Sequence, residues 1–439
     1  MSQKLLAGIL LLGTLAFSGC GSTPPEALHR ETHLTFLHWN DFHAHNIPYA
    51  VTDRDSGTGT ARKHMVGGTV ALLSYLHHFG AGTDGVAVVN AGDDFQGTPI
   101  SNITRGESQI TLMNDLHPDV ATLGNHEFDY GVGSLRERLR EARYAITVAN
   151  LFDSTLNATI EPPELLRTFG NVKVGFIGLL PPDLDILTLR GNLAGTRMLD
   201  VDSVLDVHIR DLRTDGAQLI VVVSHMGIER DTALAARRRD IDIIVGGHSH
   251  TPLFSPIKKN HTIVVQAGSY GWYLGKLDVD LDLNADSITS YRGKLIEIVP
   301  GTYPEDTLVA RTVRNLENRV STRLNKMVGT LTADWKTSLT AESNVGDWEC
   351  DAIRSATGSD VVFVNSGSIR RDISAGPVTE RDLWELNPFN NTVMKFEVDG
   401  ATLLHILEWQ AMGAAEFMQV GGLRYTIDTT REKGNRVVA

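Results

Sequence analysis

The sequence predicts an α/β protein of two domains, in which helix-covered sheets are followed by a smaller mixed domain. Three observations carry this. Apolar runs of strand length alternate with amphipathic helical patterns across 34–304. Several runs, such as LIVVV at 219–223 and IDIIV at 241–245, are apolar throughout, as strands covered on both faces are. A length of 439 residues exceeds one ordinary hydrophobic core.

The elements follow in chain order. Lys4 precedes an apolar stretch from Leu5 to Phe17, and Ser18-Gly19-Cys20 follows it. That stretch is too short to span a bilayer and reads as a secretory signal. Small residues ahead of Cys20 give 1–20 the look of a bacterial lipoprotein signal, with a lipid on Cys20 as the expected membrane anchor and 21–33 as a polar tether. An extracytoplasmic place, periplasm or cell surface, is expected. Strands are predicted at 34–38, 86–90, 119–122, 145–149, 172–179, 218–223, 241–245 and 262–267. Helices are predicted at 69–79, 107–116, 132–142, 201–215 and 230–239. Alternation on either side of Asn284-Ala285-Asp286 predicts a hairpin over 274–299 that closes the first domain, 34–304. A charged amphipathic pattern makes 305–328 a linker helix. The second domain, 329–439, carries a helix at 343–355, strands at 361–364 and 392–398 and a helix at 400–411.

Composition narrows the function classes. A hydrophobic content of 42% with 21% charged residues is that of a globular chain. A formal charge of −13 disfavours DNA or RNA polymers, which need a basic surface. It leaves room for a small phosphorylated substrate, because bound metals outweigh the global field locally. Two cysteines, one at the processing site, leave no intrachain disulfide in a processed chain, and Cys350 reads as a buried structural thiol.

The chemistry lies where the strands end. Polar clusters follow the apolar runs: HWNDFHAH at 38–45, NAGDDFQG at 90–97, LGNHEFD at 123–129, SHMG at 224–227 and GGHSH at 246–250. Open α/β sheets build their sites there. Of 16 histidines only His405 lies in the second domain, so metal chemistry belongs to the first. The pattern predicts two four-ligand sets. Asp41, His43, Asp93 and His250 form one, and Asp93, Asn125, His225 and His248 the other, with Asp93 shared. Carboxylate, imidazole and amide oxygen suit Mn²⁺, Zn²⁺, Co²⁺ or Fe²⁺, with Mg²⁺ also admitted. A hydroxide between the two ions is the expected nucleophile. His126 and Asp129 lie one helical turn apart, which lets the carboxylate orient the imidazole and favour its charged form near a phosphoryl oxygen or leaving group. His38 is read as structural, Asp94 as not a metal ligand, His77 and His78 as surface residues or supports behind the ligands, and His45 as a neighbour of the site.

At these residues the chain resembles the 5'-nucleotidase family of metallophosphoesterases. NDFHAH, GDDFQGTP, GNHEFD, SHMG and GHSH carry the likeness in the first domain, and ESNVGDWECDAIR, NSGSIRRDISAG, NPFNN and EFMQVGG carry it in the second. The resemblance implies a metallophosphoesterase β-sandwich flanked by helices and a smaller α/β (α+β) C-terminal nucleotide-binding domain. It implies hydrolysis of nucleoside 5'-monophosphates, with ADP, ATP or UDP-sugars as further substrates. By position it assigns substrate binding to Arg370, Arg371, Asn390, Phe417, Gly421 and Gly422, with Arg370 on phosphate and Phe417 stacked on the base. His45 stands where the family commonly has Gly. The family also implies a continuation beyond Ala439 with a second base-stacking aromatic, so an incomplete C-terminal domain and a complementing C-terminal fragment are expected. Competing readings are a 2',3'-cyclic-nucleotide phosphodiesterase with 3'-nucleotidase activity, a thiosulfate-ester hydrolase on the same scaffold, and a non-catalytic surface binding protein.

Overall fold

The computed structural model describes residues 31–54, 61–389, 391–413 and 417–438. The signal segment, Cys20 and Asn390 lie outside the described residues. No described helix is long and apolar enough to cross a membrane.

Two sheets stacked face to face form the first domain. One holds Glu31–Trp39 at its centre, parallel to Val86–Asn90 and antiparallel to Tyr273–Asp282, with Val120–Ala121 and Ser287–Glu297 at its edges. The other is parallel through Val172–Leu179, Leu219–Ser224, Ile243–Gly246 and Thr262–Gln266, with antiparallel strands at both edges. Side chains alternate along each strand, so each sheet buries both faces. Leu34, Phe36 and Val89 meet Phe176, Val221 and Ile243 between the sheets. On the outer face of the first sheet, Leu37 and Val88 pack beneath the helices Thr69–His78 and Glu107–Leu116. On the outer face of the second, Ile220, Val222 and Ile244 pack beneath Val201–Thr214 and Ile228–Arg237. The order of layers is helix, sheet, sheet, helix.

The first strand begins at Glu31, inside the segment read as a tether. Helix Thr307–Leu324 lays Val309, Val313, Leu316, Val320 and Leu324 into the outer core of the first sheet, so it packs as part of the first domain. Beyond it, Val345, Cys350, Val364, Ile373 and Val378 form the core of the second domain, around helix Asn344–Thr357 and the strand pair Val362–Asn365 and Met418–Gly421. Cys350 is a free, buried thiol, which burial pushes up to about 12.

Two expected strands are absent. Segment 145–149 makes a single bridge, Ala121 to Ile146. Its amides divide between the sheets, Thr147 N–H donating to Ala121 of the first and Ala149 N–H to Gly178 of the second, so no ladder extends along either. Segment 392–398 alternates as a strand should, but no other described strand pairs with it. Short pairs such as Tyr49–Arg54 with Ala61–Val66, and the six-residue helix Pro99–Thr104, were not apparent as elements in the sequence.

Candidate metal centre

Five strands deliver the site, three from one sheet and two from the other. Asp41 and His43 follow Glu31–Trp39, Asp93 follows Val86–Asn90, and Asn125 follows Val120–Ala121. His225 follows Leu219–Ser224, and His248 and His250 follow Ile243–Gly246. The ends of both sheets meet at one point. Asp41, His43 and His250 bring ligand atoms within 4.8 Å of one another, and so do Asp93, His225 and His248. The structure thus brings together three residues of each four-residue set read from the sequence.

The distances show how the sets overlap. His250 Nε2 lies 3.2 Å from Asp41 Oδ1 and 3.1 Å from His43 Nε2. Asp93 Oδ2 lies 3.0 Å from His225 Nε2 and 3.8 Å from His43 Nε2, so it reaches both sets. Asn125 Oδ1 is buried without a hydrogen-bond partner among the described residues. A ligand-type atom left in this way fits a divalent cation.

Backbone carbonyls aim the imidazoles. His225 Nδ1 donates to Ala91 O at 2.6 Å and His43 Nδ1 donates to Gln96 O at 3.0 Å, which turns each Nε2 inward. Asp41 is held by Asn40 Nδ2 at 2.6 Å and by the His248 N–H at 2.9 Å. Gln266 is buried beneath the last loop, donating to Gly247 O and accepting from Thr251 N–H and Ser249 Oγ.

The electrostatics call for positive charge. Burial would raise the Asp93 carboxyl, yet His225, His126 and His43 hold it well below the usual range. Burial opposes Asp41 in the same way, and His250 and His225 outweigh it. For His225 burial pulls down, but Asp93 and Asp41 hold it up at about 10. Burial drives His43 well below the ordinary imidazole value and His248 down to about 4.

His126 stands beside both sets. Its ring centroid is 5.2 Å from that of His43, and its Nδ1 lies 2.8 Å from Asp129 Oδ2. Burial would lower His126, but Asp129 and Asp93 outweigh it and raise it. Asn192 Nδ2 holds the Asp129 carbonyl at 2.9 Å.

The second domain reaches the same place. Asn102 Nδ2 donates to Pro388 O at 2.5 Å, and the Phe389 ring lies 5.5 Å from His126. Arg370 stands over Phe389 with its guanidinium carbon 5.5 Å from the ring centre. A cleft lined by His43, His45, Tyr270, Arg370, Arg371 and Glu385 lies between the domains. Arg371 is paired with Glu385, so its charge is already balanced. His45 packs on Tyr270 at 4.4 Å between ring centroids. The carbonyl of Phe417 accepts from Ser366 N–H at 3.0 Å, at the start of the strand pair. Gly421 abuts Cys350 and Gly422 abuts Asp360 O, so packing accounts for both glycines.

In the sequence Phe389 reads as structural, supporting the loop at Asn390, and no role falls to Glu127 or Tyr270. Glu127 and Phe389 lay inside quoted motifs, and that was their only signal. Asp94 accepts from Asn90 Nδ2 at 2.6 Å.

Two family models match the chain. Residues 34–252 match the calcineurin-like phosphoesterase family, and 325–439 match the 5'-nucleotidase C-terminal domain. The structure of a 5'-nucleotidase precursor from Thermus thermophilus is similar at a TM-score of 0.82 and 31% identity, covering 93% of this chain and 84% of that one. The 5'-nucleotidase of Bos taurus is 28% identical over 98% of this chain and 80% of its own length. A snake venom 5'-nucleotidase of Naja atra is 28% identical over 92% and 84% respectively. A sulfate thiohydrolase of Thermus thermophilus shares the fold at a TM-score of 0.81 and 20% identity, over 92% of this chain and 85% of that one.

Proposed function

This chain belongs to the 5'-nucleotidase family of metallophosphoesterases, and from that premise we propose that it hydrolyses nucleoside 5'-monophosphates to nucleoside and phosphate. One observation carries the reading: two ligand sets meet at Asp93, with the His126–Asp129 pair beside them. Asp41, His43, Asp93 and His250 would hold one divalent cation, and Asp93, Asn125, His225 and His248 the other. Such cations supply Lewis-acid charge and a water of lowered pKa.

The chain's own residues do the rest. Asp93 would give shared anionic charge to both cations. Asp129 orients His126 through Nδ1 and leaves Nε2 to donate to a phosphoryl oxygen or the departing alkoxide. Arg370, facing the cleft from the second domain, binds the phosphate. Phe417 stacks on the base, as the family motif assigns, while Phe389 packs against His126 and under Arg370. Arg371 contributes less, because Glu385 already holds it. We also place the protein outside the cytoplasm, anchored through Cys20, on the strength of the Lys4-to-Cys20 pattern.

A substrate panel tests the activity. After chelation and return of Mn²⁺ or Co²⁺, AMP is expected to be cleaved faster than 3'-AMP, 2',3'-cyclic AMP, UDP-glucose or a thiosulfate ester. Preference for the cyclic or thiosulfate substrate overturns the assignment. Loss of membrane association in Cys20→Ser tests the anchor.

A further inference from the structure

Five residues assigned to the metals hold a left-handed backbone: Asp41, His43, Asp93, His248 and His250, with φ of 49°, 49°, 59°, 74° and 54°. Side chains with a Cβ rarely adopt it, and only surroundings that over-determine it keep it in place. For Asp93 those surroundings are visible. The buried Glu127 carboxylate accepts four backbone N–H groups. Its Oε2 takes Asp93 N–H at 3.0 Å and Gly124 N–H at 2.6 Å, and its Oε1 takes Asp94 N–H at 2.7 Å and Phe95 N–H at 3.0 Å. Three of these donors belong to the loop after Val86–Asn90, and the fourth belongs to the loop after Val120–Ala121. A second tie joins the same loops, since His126 N–H donates to Asp93 Oδ1 at 2.9 Å.

We propose that Glu127 is a positioning residue, whose carboxylate clamps the Asp93 loop to the Asn125–His126 loop and so fixes the bridging carboxylate between the two ligand sets. This rests on the two-cation reading above. Glu127 takes no part in the bond changes. Its side chain reaches four amides and thereby aims Asp93 toward His43 on one side and His225 on the other.

Glu127→Gln tests the clamp with its shape kept. A carboxamide has one acceptor oxygen, and its NH₂ faces two of the four N–H donors. The probe is Mn²⁺ itself, read by calorimetry and by electron paramagnetic resonance, in which a bridged pair gives a spin-coupled signal. Wild type is expected to bind two Mn²⁺ and to show coupling. In Glu127→Gln the second Mn²⁺ is expected to bind about 10–100-fold more weakly, with the coupled signal lost at matched occupancy. A variant that merely melts earlier, yet binds two coupled Mn²⁺ with wild-type affinity, overturns the proposal. Hydrogen exchange on metal-free wild type gives a second measurement that needs no variant. Slow exchange at Asp93, Asp94, Phe95 and Gly124 supports the clamp, and fast exchange there overturns it even if the variant fails to fold. A wild type that binds fewer than two Mn²⁺ overturns the two-cation reading instead.

Discussion

Gly124 has little room to be anything else. A Cβ at this position would lie 2.1 Å from Asp93 Oδ1 and 2.7 Å from His225 Nε2, so Gly124→Ala must displace a ligand of each set or the loop itself. Misplacement of about 1 Å in a catalytic arrangement costs on the order of 100-fold in rate. We expect kcat/KM for AMP to fall by about that factor, with metal content by mass spectrometry falling too and the melting temperature little changed. Asp129 acts one step further out. Its carboxylate orients His126 and stabilises the imidazolium, so Asp129→Asn is expected to lower kcat by about 100-fold with KM nearly unchanged. Steady-state kinetics on AMP decides it, and a raised KM with intact kcat would make the pair a binding element. The ligand-type residues and the His126–Asp129 pair stood out in the sequence as candidates because such chemistry needs particular side chains at particular strand ends, whereas Gly124 carries no such signal. The left-handed backbone at Asp93 and the amides gathered by Glu127 were not legible there, because they arise only when two loops meet in space.

Among elements, helix Gly131–Glu141 is tied to strand Leu151–Asp153 by a partly buried ion pair. Arg136 Nε and Nη2 each donate to Asp153 at 2.7 Å, and Thr155 N–H adds a third bond at 2.8 Å. Burial alone would raise the Asp153 carboxyl, but these bonds and the Arg136 charge outweigh it and lower its pKa. The sign follows from linkage. A carboxylate whose folded pKa is depressed stabilises the fold above its unfolded value, near 3.8, and loses that contribution as pH falls through the folded value. Asp153→Asn is therefore expected to cost about 1–2 kcal/mol at neutral pH and progressively less below about pH 4. Urea unfolding of both proteins across pH 3–7 checks it, and a difference independent of pH would remove the ion pair as its cause. Elsewhere, element-level legibility followed packing. Runs such as 172–179 and 219–224 were visible because both faces are covered by one continuous environment. Segment 145–149 was not read correctly, since its amides serve two sheets and periodicity cannot show that.

At the scale of the whole molecule, the domains meet where the chemistry is. Pro388, Phe389 and Arg370 reach the first domain at the metal centre, and Arg381 pairs with Glu317 of helix Thr307–Leu324 at 2.8 Å. Away from that contact the second domain shows an apolar face. Met394, Phe396 and Val398 alternate with Lys395 and Glu397, the pattern of a strand with one buried side. Yet Met394 is 79% and Phe396 68% exposed, and Leu404 and Trp409 of the following helix are exposed as well. Lys395 Nζ tethers the segment to Thr357 O at 2.9 Å, which fixes its place without covering its side chains. An unpaired segment with strand periodicity and apolar side chains is a template for association. The wild-type protein is accordingly expected to bind an apolar dye and to self-associate as its concentration rises. Met394→Lys combined with Phe396→Lys places charge on that face and is expected to reduce both effects. Because neither side chain belongs to the metal centre, activity on AMP should stay within about twofold of wild type, the range of ordinary surface substitutions. Dye fluorescence, light scattering against concentration and kcat/KM together decide it. Undiminished association in the double variant would mean that the protein joins through another surface.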